Sequence, residues 1–251
     1  MDRPTLDAPF RWEGEHIAAE LPGARVLLST RRGGVSPEPF DSLNLGRLTA
    51  DEGANIDANR DRLAAAVGLP RERFLYGRQV HGTRVRRASE PPGAERPAEE
   101  EDGQATVLRD AAALVFVADC LPVLLAADGA VAALHCGWRP LAGGIVAEGV
   151  AALRELGADG PIAAVVGPGA RGCCYEVGEE VHEHFADVPA ARKGSDPFLA
   201  LEVIAAAKLA EAGVAEVHDV GLCTMCRNDV FFSHRADGGV TGRQAGVVWR
   251  A

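Results

Sequence analysis

Three short apolar runs in the middle of the chain constrain the fold more than any other stretch. They cover residues 111–118, 123–127 and 130–134. Runs of four to eight β-branched and aliphatic residues bounded by Pro, Asp or Gly are typical of buried strands. Asp128-Gly129 favours a tight turn between the second and third runs. The sequence therefore predicts neighbouring buried strands, followed just past Arg139 by a helix, because apolar residues then recur at helical spacing.

Two of these predicted strands end next to a chemically active side chain. Cys120 follows the first run and His135 follows the third, so a hairpin would bring the two close together. A thiol beside an imidazole suits a nucleophile and its base or two ligands of a zinc-like metal. A buried structural cysteine is the third interpretation. Asp119 and Pro122, unusual residues for a core strand, favour the functional ones.

The rest of the chain reads as further strands and amphipathic helices, with no internal repeat. Strands are predicted over 24–30, 160–167, 214–220, 230–233 and 245–249, a strand-like segment carrying His81 over 73–85, and helices over 51–67, 179–185 and 196–212. The proline-rich acidic segment 89–104 is typical of a surface loop rather than of a domain boundary. We therefore expect a single domain covering residues 1–251.

Charge and composition exclude several classes of function. The 251 residues carry a formal net charge of −10, and nucleic-acid binding requires a basic face. No stretch approaches eighteen apolar residues, so we expect no membrane span. The amino terminus has no signal-peptide core, so we expect a cytoplasmic protein with reduced thiols. Cys223 and Cys226 have zinc-knuckle spacing, but a second such pair is missing. We therefore predict that they form neither a structural zinc site nor a required disulfide.

Two glycine-rich turns are candidates for ligand contacts. Arg31-Arg32-Gly33-Gly34 follows a predicted strand, where guanidinium groups and backbone N–H groups can face an anion. Its spacing is not that of a nucleotide P-loop, and a solvated turn is an equal alternative. Asn44 lies nearby as a ligand contact or a turn former. Glu176, within the turn after residue 167, is a candidate general acid or base, or a charge at a helix N-terminus.

Six segments of the chain resemble the laccase-domain, or polyphenol oxidase, family of cytoplasmic purine-nucleoside enzymes. They are RRGGVSPEPFDSLNLG (31–46), QVHGT (79–83), ADCLPVLL (118–125), HCGWR (135–139), GCCYEVG (172–178) and FFSHRADGGVTGRQAGVVW (231–249). They span almost the whole chain in family order. Each segment is weakly informative alone, and together they are specific.

The resemblance implies an α+β fold, a single-domain layered sandwich with mixed β-sheets flanked by helices. It also implies a zinc ion, or copper, held by His81, Cys120 and His135. Family activities are phosphorolysis of adenosine, inosine, guanosine and methylthioadenosine, with deamination of adenosine at the same site. Inorganic phosphate would be the co-substrate and small purine nucleosides the partners, and we expect a monomer.

The chemistry of the residues agrees with that implication. Imidazole and thiolate are good zinc ligands, and three protein ligands leave a fourth position open. Zinc activates water at neutral pH, and zinc nucleobase deaminases add a glutamate that moves the proton. We assign Cys120 and Glu176 as catalytic candidates on this basis. A phosphate pocket needs cationic and polar groups, for which the candidates by type and position are Arg31, Arg32, Asn44 and Arg139.

Three other functions compete with this one. A multicopper oxidase requires about ten histidines, because copper prefers imidazole, and the chain has seven. A cysteine hydrolase, with Cys120 as nucleophile and His135 as base, would act on amides or cell-wall precursors and would survive metal removal. A non-catalytic zinc-stabilised binding module would unfold on metal removal and turn over no nucleoside.

Overall fold

Two six-stranded mixed sheets, lying face to face, form the centre of the molecule. The computed structural model describes residues 3–90 and 99–251, so part of the predicted acidic loop, residues 91–98, lies outside the described residues. The described strands are β1 (Arg11–Glu13), β2 (His16–Leu21), β3 (Ala24–Leu28), β4 (Phe74–Leu75), β5 (Val85–Ala88), β6 (Gly103–Thr106), β7 (Ala112–Val117), β8 (Leu121–Asp128), β9 (Ala130–Cys136), β10 (Asp159–Val166), β11 (Glu216–Asp219) and β12 (Gln244–Arg250).

Helices cover the outer faces of both sheets. The α-helices in the described ranges are α1 (Gly53–Val67), α2 (Trp138–Gly143), α3 (Ile145–Glu155), α4 (Glu179–His182) and α5 (Leu201–Glu211). Short 3₁₀ turns lie at Arg71–Arg73, Glu183–Phe185 and Pro189–Ala191. None of the helices in the described part of the chain has the length and apolar character needed to cross a membrane.

The strand order explains why both sheets are mixed. One sheet runs β1-β2-β3-β12-β7-β4 and the other β11-β10-β8-β9-β6-β5. Most neighbours are antiparallel, but β4 pairs with β7, β5 with β6 and β10 with β11 in parallel. The predicted α+β sandwich with mixed sheets flanked by helices is therefore confirmed.

Alternation along the strands places side chains in successive apolar layers. In β8, Leu124 and Ala126 point between the two sheets, whereas Val123 and Leu125 face the core shared with α3 and α5. This is the period of two that a strand imposes on its side chains. On the far side, Leu63 and Val67 of α1 pack against the first sheet. Because β8 is covered on both faces, its sequence is continuously apolar.

The predicted central hairpin is confirmed. Ala127 pairs with Ala130 across the two-residue turn, and Pro122 pairs with His135 at the far end. Gly129 has φ +93°, a conformation that favours glycine in such turns. The helix expected after Arg139 is also present, although it is divided at Gly144, which has φ +91° and separates α2 from α3.

Three local predictions are wrong, each because a specific contact replaces the regular pattern. Residues 230–233 lie at the end of a turn and in a loop instead of a strand, since the amide of Phe232 donates to the Gln244 side chain. The helix predicted from residue 196 begins at Leu201, because the amide of Leu199 donates to the Tyr175 carbonyl. Within 73–85, only β4 and the first residue of β5 are strand, and residues 79–83 form a loop.

Candidate active site

Three metal-ligating side chains meet at the end of the hairpin. Cys120 directly precedes β8, His135 is near the end of β9, and His81 lies on the loop between β4 and β5. Their ligand atoms all lie within 4.8 Å of one another, and Cys120 Sγ is 3.8 Å from His81 Nε2. The structure thus brings together all three ligands that the family resemblance implies.

The spacing suits one zinc ion. A tetrahedral ion with a Zn–S distance of about 2.3 Å and a Zn–N distance of about 2.05 Å separates the two ligand atoms by about 3.6 Å. The 3.8 Å between Cys120 and His81 is close to that value. His81 is exposed while His135 is buried. The three ligands therefore face solvent on one side, where a fourth position is accessible.

A buried carboxylate, Asp102, orients two of the ligands. Its Oδ1 lies 2.7 Å from His135 Nδ1 and accepts the amide of His81 at 3.0 Å. Its Oδ2 accepts the amides of Val80 and Gly82 at 3.0 and 2.7 Å. Because Nδ1 of His135 is engaged, Nε2 is left for a metal, the usual arrangement in carboxylate–histidine–metal sites. Sequence reasoning missed Asp102 because it assigned 89–104 to a surface loop, and that prediction is wrong for residues 101–104, which are buried and lead into β6.

The loop that carries His81 adopts an uncommon backbone conformation. His81 has φ +60°, which for a residue other than glycine costs about 1–3 kcal/mol and persists only where surrounding contacts impose it. Here the three consecutive amides bonded to Asp102 provide those contacts. The Asp102 carboxylate therefore holds the His81 side chain in position as well as His135.

The proximity of opposite charges shifts the pKa values of both Cys120 and His135. Burial works to raise the pKa of Cys120, but the facing His135 and His81 outweigh it and lower that pKa to about 6. Burial likewise works to lower the pKa of His135, yet Cys120 and Asp102 raise it to about 9. Burial works to raise the pKa of Asp102, but the hydrogen bonds that it accepts, first that with His135, outweigh burial and lower the pKa. The site thus favours thiolate, the form of cysteine that binds metals.

A second buried carboxylate, Asp119, fixes the backbone next to Cys120. Asp119 has φ +86°. Its Oδ1 accepts the hydroxyls of Thr224 and Ser233 at 2.6 and 2.7 Å, and its Oδ2 accepts the amide of Arg235 at 2.7 Å. Asp119 thereby attaches two distant loops to the residue that precedes the thiol ligand.

Gly137 leaves the space that the cluster needs. A Cβ at this position would lie 2.8 Å from Cys120 Sγ and 3.3 Å from His81 Cδ2. Gly137 has φ −76°, so the backbone itself would accept alanine. We expect Gly137→Ala to displace the thiol and weaken metal binding about tenfold, equivalent to about 1.4 kcal/mol. Competition with a chromophoric chelator measures the affinity.

The control for this prediction is Gly53→Ala, at the start of α1, where the nearest atom to a new Cβ is 3.5 Å away. That variant should bind metal as the parent protein does. Unchanged metal affinity in Gly137→Ala would show that the thiol can move without loss, against the close packing described.

Tyr175 and Arg243 lie within electrostatic range of Cys120. Burial lowers the pKa of Arg243, although the negative charges of Cys120 and Asp119 work to raise it. Burial, followed by the charge of Cys120, raises the pKa of Tyr175 to about 12, against the attraction of Arg235 and Arg139. The Arg139 guanidinium lies 4.3 Å from the centre of the Trp138 ring. Sequence reasoning missed Tyr175, Arg235 and Arg243, although the first is the neighbour of Glu176.

Arg31 and Arg32 lie in another part of the surface. Arg31 binds the Asp41 carbonyl and carboxylate and also Asn228. Arg32 binds the carbonyl and carboxylate of Asp229. Both arginines line a cleft of about 660 Å³ that these acidic residues share and that contains none of the three ligands. Their hydrogen bonds favour structural roles.

Asn44 and Glu176 also make contacts that differ from those expected of ligand-binding residues. Asn44 is fully buried. Its amide donates to Thr49 and Asp51, and its oxygen accepts the amides of Gly46 and Arg243, so its hydrogen-bonding capacity is used. Glu176 is exposed. The Arg235 guanidinium donates a hydrogen bond to the backbone carbonyl of Glu176, not to its carboxylate. Glu176 directly follows Tyr175 in the chain.

Four further cysteines form a second cluster: Cys173, Cys174, Cys223 and Cys226. Sequence reasoning expected Cys223 and Cys226 to lack partner ligands, and this expectation is wrong. The turn after β10 carries Cys173 and Cys174 to the loop after β11, because β10 and β11 are parallel neighbours whose ends meet. The two pairs of cysteines are about fifty residues apart in the chain. The spacing of cysteines within one short segment therefore does not reveal that the two pairs meet.

Comparisons with known proteins agree with this site and fold. The chain is 39% identical to purine nucleoside phosphorylase SCO2081 of Streptomyces coelicolor over 234 residues, covering 90% of this chain and 96% of that protein. It is 38% identical to purine nucleoside phosphorylase YfiH of Escherichia coli over 237 residues, covering 90% and 94%. The structure matches that of Bacillus licheniformis YfiH with a TM-score of 0.91 at 27% identity, covering 98% and 100% of the two chains.

Protein NMB0706 of Neisseria meningitidis gives a TM-score of 0.83 at 33% identity, covering 94% of this chain and 99% of that one. The family model described as multi-copper polyphenol oxidoreductase laccase matches residues 25–251. This match includes all three ligands of the candidate site, His81, Cys120 and His135. The chain therefore belongs to the laccase-like family that this model describes.

Proposed function

We propose that the chain is a metal-dependent purine nucleoside phosphorylase that acts on adenosine, inosine, guanosine and methylthioadenosine and also deaminates adenosine. The observation that carries the proposal is the His81–Cys120–His135 cluster with Asp102 behind it and Tyr175 within electrostatic range of Cys120. The names of the relatives supply the reaction class. All three ligands come from one chain, so a monomer contains the whole cluster.

The donor set fits a zinc ion, and copper is the alternative because imidazole and thiolate bind both. His81, Cys120 and His135 would hold the ion. When bound, the ion supplies Lewis-acid stabilisation of developing negative charge. The chain's part is to fix the ligands: Asp102 holds the imidazole of His135, and Asp119 holds the backbone before Cys120.

Phosphorolysis places distinct demands on the surrounding residues. A phosphate oxygen forms the new bond to C1′ of the ribose, the C1′–N9 bond breaks, and the purine leaves with that electron pair and takes up a proton. A guanidinium can hold phosphate through two parallel hydrogen bonds. Arg139 and Arg243 are our candidates, because Arg139 acts electrostatically on Tyr175 and Cys120 acts on Arg243. The phenol of Tyr175 can donate a hydrogen bond to the departing base.

Deamination requires a proton carrier for water and the departing ammonia. Glu176 is our candidate, because zinc deaminases use a glutamate that is not a metal ligand. It is exposed and directly follows Tyr175 in the chain. Glu176→Gln should reduce inosine formation from adenosine more than it reduces adenine formation.

Changing Arg139 to lysine should raise the phosphate KM about tenfold and leave metal content unchanged. Lysine keeps the charge but cannot form the paired hydrogen bonds, and a loss of about 1.4 kcal/mol corresponds to tenfold. Steady-state inosine phosphorolysis at varied phosphate measures this. Arg78→Lys is the matched control, since Arg78 is exposed and paired with Glu100. The phosphate KM of that variant should equal that of the parent protein. An unchanged KM in Arg139→Lys would move the phosphate site to Arg243.

The test of the proposed function is product analysis with each nucleoside, with and without phosphate. Adenosine should give adenine and ribose 1-phosphate only when phosphate is present, and inosine in both cases. Inosine and guanosine should give their bases only with phosphate. Absence of free base from every purine nucleoside, with phosphate and zinc supplied, would refute the phosphorylase proposal.

A cysteine hydrolase is the second candidate, and one observation favours it. Cys120, His135 and Asp102 lie in the order of a nucleophile, its base and a residue that orients the base, the arrangement expected for thiol catalysis. Such an enzyme would act on amides, including cell-wall precursors, and would keep its activity after chelation. Retention of turnover in metal-free protein distinguishes it from the phosphorylase.

A further inference from the structure

We propose that Cys173, Cys174, Cys223 and Cys226 hold a second metal ion, a structural zinc coordinated by four thiolates. The cluster lies outside the His81–Cys120–His135 site, and the inference does not depend on the reaction proposed there. Each ligand atom lies within 4.8 Å of the other three. Of the chain's six cysteines, only Cys136 belongs to neither cluster.

The distances between the sulfur atoms support a single ion. Cys173 Sγ lies 3.4 Å from Cys174 Sγ and 3.5 Å from Cys226 Sγ. Cys174 Sγ lies 3.4 Å from Cys223 Sγ and 3.7 Å from Cys226 Sγ. A tetrahedral zinc with Zn–S of about 2.3 Å separates its sulfurs by about 3.8 Å. The four thiols therefore surround a volume of the size that one zinc ion occupies, after an expansion of a few tenths of an ångström.

The fold holds the two halves of the cluster together independently of any metal. Gly169 and Cys223 form a parallel bridge, and the amide of Thr224 donates to the Gly169 carbonyl at 3.0 Å. The Arg227 amide donates to the Cys223 carbonyl at 3.0 Å, closing a turn across Cys226. Two residues between Cys223 and Cys226 is the ligand spacing of many structural zinc sites.

Four cysteine ligands leave no open position, so this ion would be structural and not catalytic. Binding of Zn²⁺ to four thiols releases four protons and leaves a net charge of −2 on the complex. The Arg171 guanidinium lies within electrostatic reach of Cys223 and is also paired with Asp219 and Glu202. Cys173 and Cys226 are exposed, so the ion can enter from solvent.

The position of the cluster suggests what the ion stabilises. Thr224, between two of the ligands, donates its hydroxyl to Asp119 at 2.6 Å, and Asp119 precedes Cys120. Tyr175 directly follows Cys174 and is influenced by the charge of Cys120. An ion in the cluster would therefore fix both the loop bonded to Asp119 and the chain position of Tyr175, which directly follows a ligand.

The experiment is zinc stoichiometry by inductively coupled plasma mass spectrometry on full-length protein purified with zinc supplied. We expect two equivalents in the parent protein and in the control Cys136→Ala. Cys226→Ser should retain one equivalent, Cys120→Ala one, and the double variant none. Cys173→Ser, at the other exposed ligand, should match Cys226→Ser.

Coordination of the ion that remains in Cys120→Ala provides a second measurement that requires no change in the four cysteines. X-ray absorption at the zinc edge should show four sulfur neighbours at about 2.3 Å. Two equivalents of zinc in Cys226→Ser, none in Cys120→Ala, or mixed nitrogen and sulfur ligands in the latter would overturn the proposal. Titration that finds Cys173 or Cys174 disulfide-bonded in the purified protein would overturn it as well.

Discussion

Replacing Cys120 by alanine should remove one equivalent of metal and reduce kcat/KM for inosine phosphorolysis by at least about a thousandfold. The thiolate is one of three ligands, so its loss leaves only the two histidines, too few for the three-ligand catalytic sites that zinc forms. Losing Lewis-acid stabilisation of several kcal/mol corresponds to a rate loss of about this size. Metal analysis and initial rates on the same preparation give both values.

Cys136→Ala is the matched control for that variant. Cys136 is adjacent to His135 and fully buried in the core shared with α3 and α5, and it belongs to neither metal cluster. We expect it to keep its metal. A Cys120→Ala protein that keeps both full metal occupancy and turnover would show that the ligand assignment is wrong.

Replacing Asp102 by asparagine should weaken metal binding and reduce turnover, each by about 10- to 100-fold, the usual effect of losing a carboxylate behind a histidine ligand. Each carboxylate oxygen has two hydrogen-bond partners. Oδ1 faces His135 Nδ1 and the His81 amide, and Oδ2 faces the amides of Val80 and Gly82. Whichever way the asparagine amide turns, its NH₂ group faces backbone or imidazole donors.

The same substitution should lower the free energy of unfolding by about 1–3 kcal/mol, because the donors that face Asp102 lose an acceptor. Urea unfolding and metal-binding titrations measure the two effects. Asp110→Asn is the control, since Asp110 is exposed and paired with Arg73. Parent-like metal affinity in Asp102→Asn would mean that His81 and His135 need no carboxylate to hold them.

The central part of the fold was predictable because local signals agreed there. Continuous apolar runs indicate strands buried on both faces, and Asp128-Gly129 specifies the hairpin that places Cys120 beside His135. The loop carrying His81 was not predictable from periodicity, since its conformation depends on Asp102. The helix expected from residue 196 failed for a similar reason, a long-range bond between Leu199 and Tyr175.

The candidate site was predictable to the extent that its residues have distinctive chemistry. Histidine and cysteine ligands are conspicuous in a sequence, whereas Asp102 and Asp119 resemble other acidic residues until their partners are known. Arg31 and Asn44 have suitable chemistry but bind within the chain. Cys173 and Cys174 meet Cys223 and Cys226 through the parallel pairing of β10 with β11, which no motif spacing reveals.

The most direct test of the central claim is inosine phosphorolysis by the parent protein before chelation, after chelation, and after zinc is restored. The account predicts that activity is lost when mass spectrometry shows the metal removed and that it returns when zinc is added back. Circular dichroism on the same samples should confirm that the stripped protein is still folded. Full phosphorolysis by folded, metal-free protein would contradict the account and favour a reaction carried out by the Cys120 thiol itself.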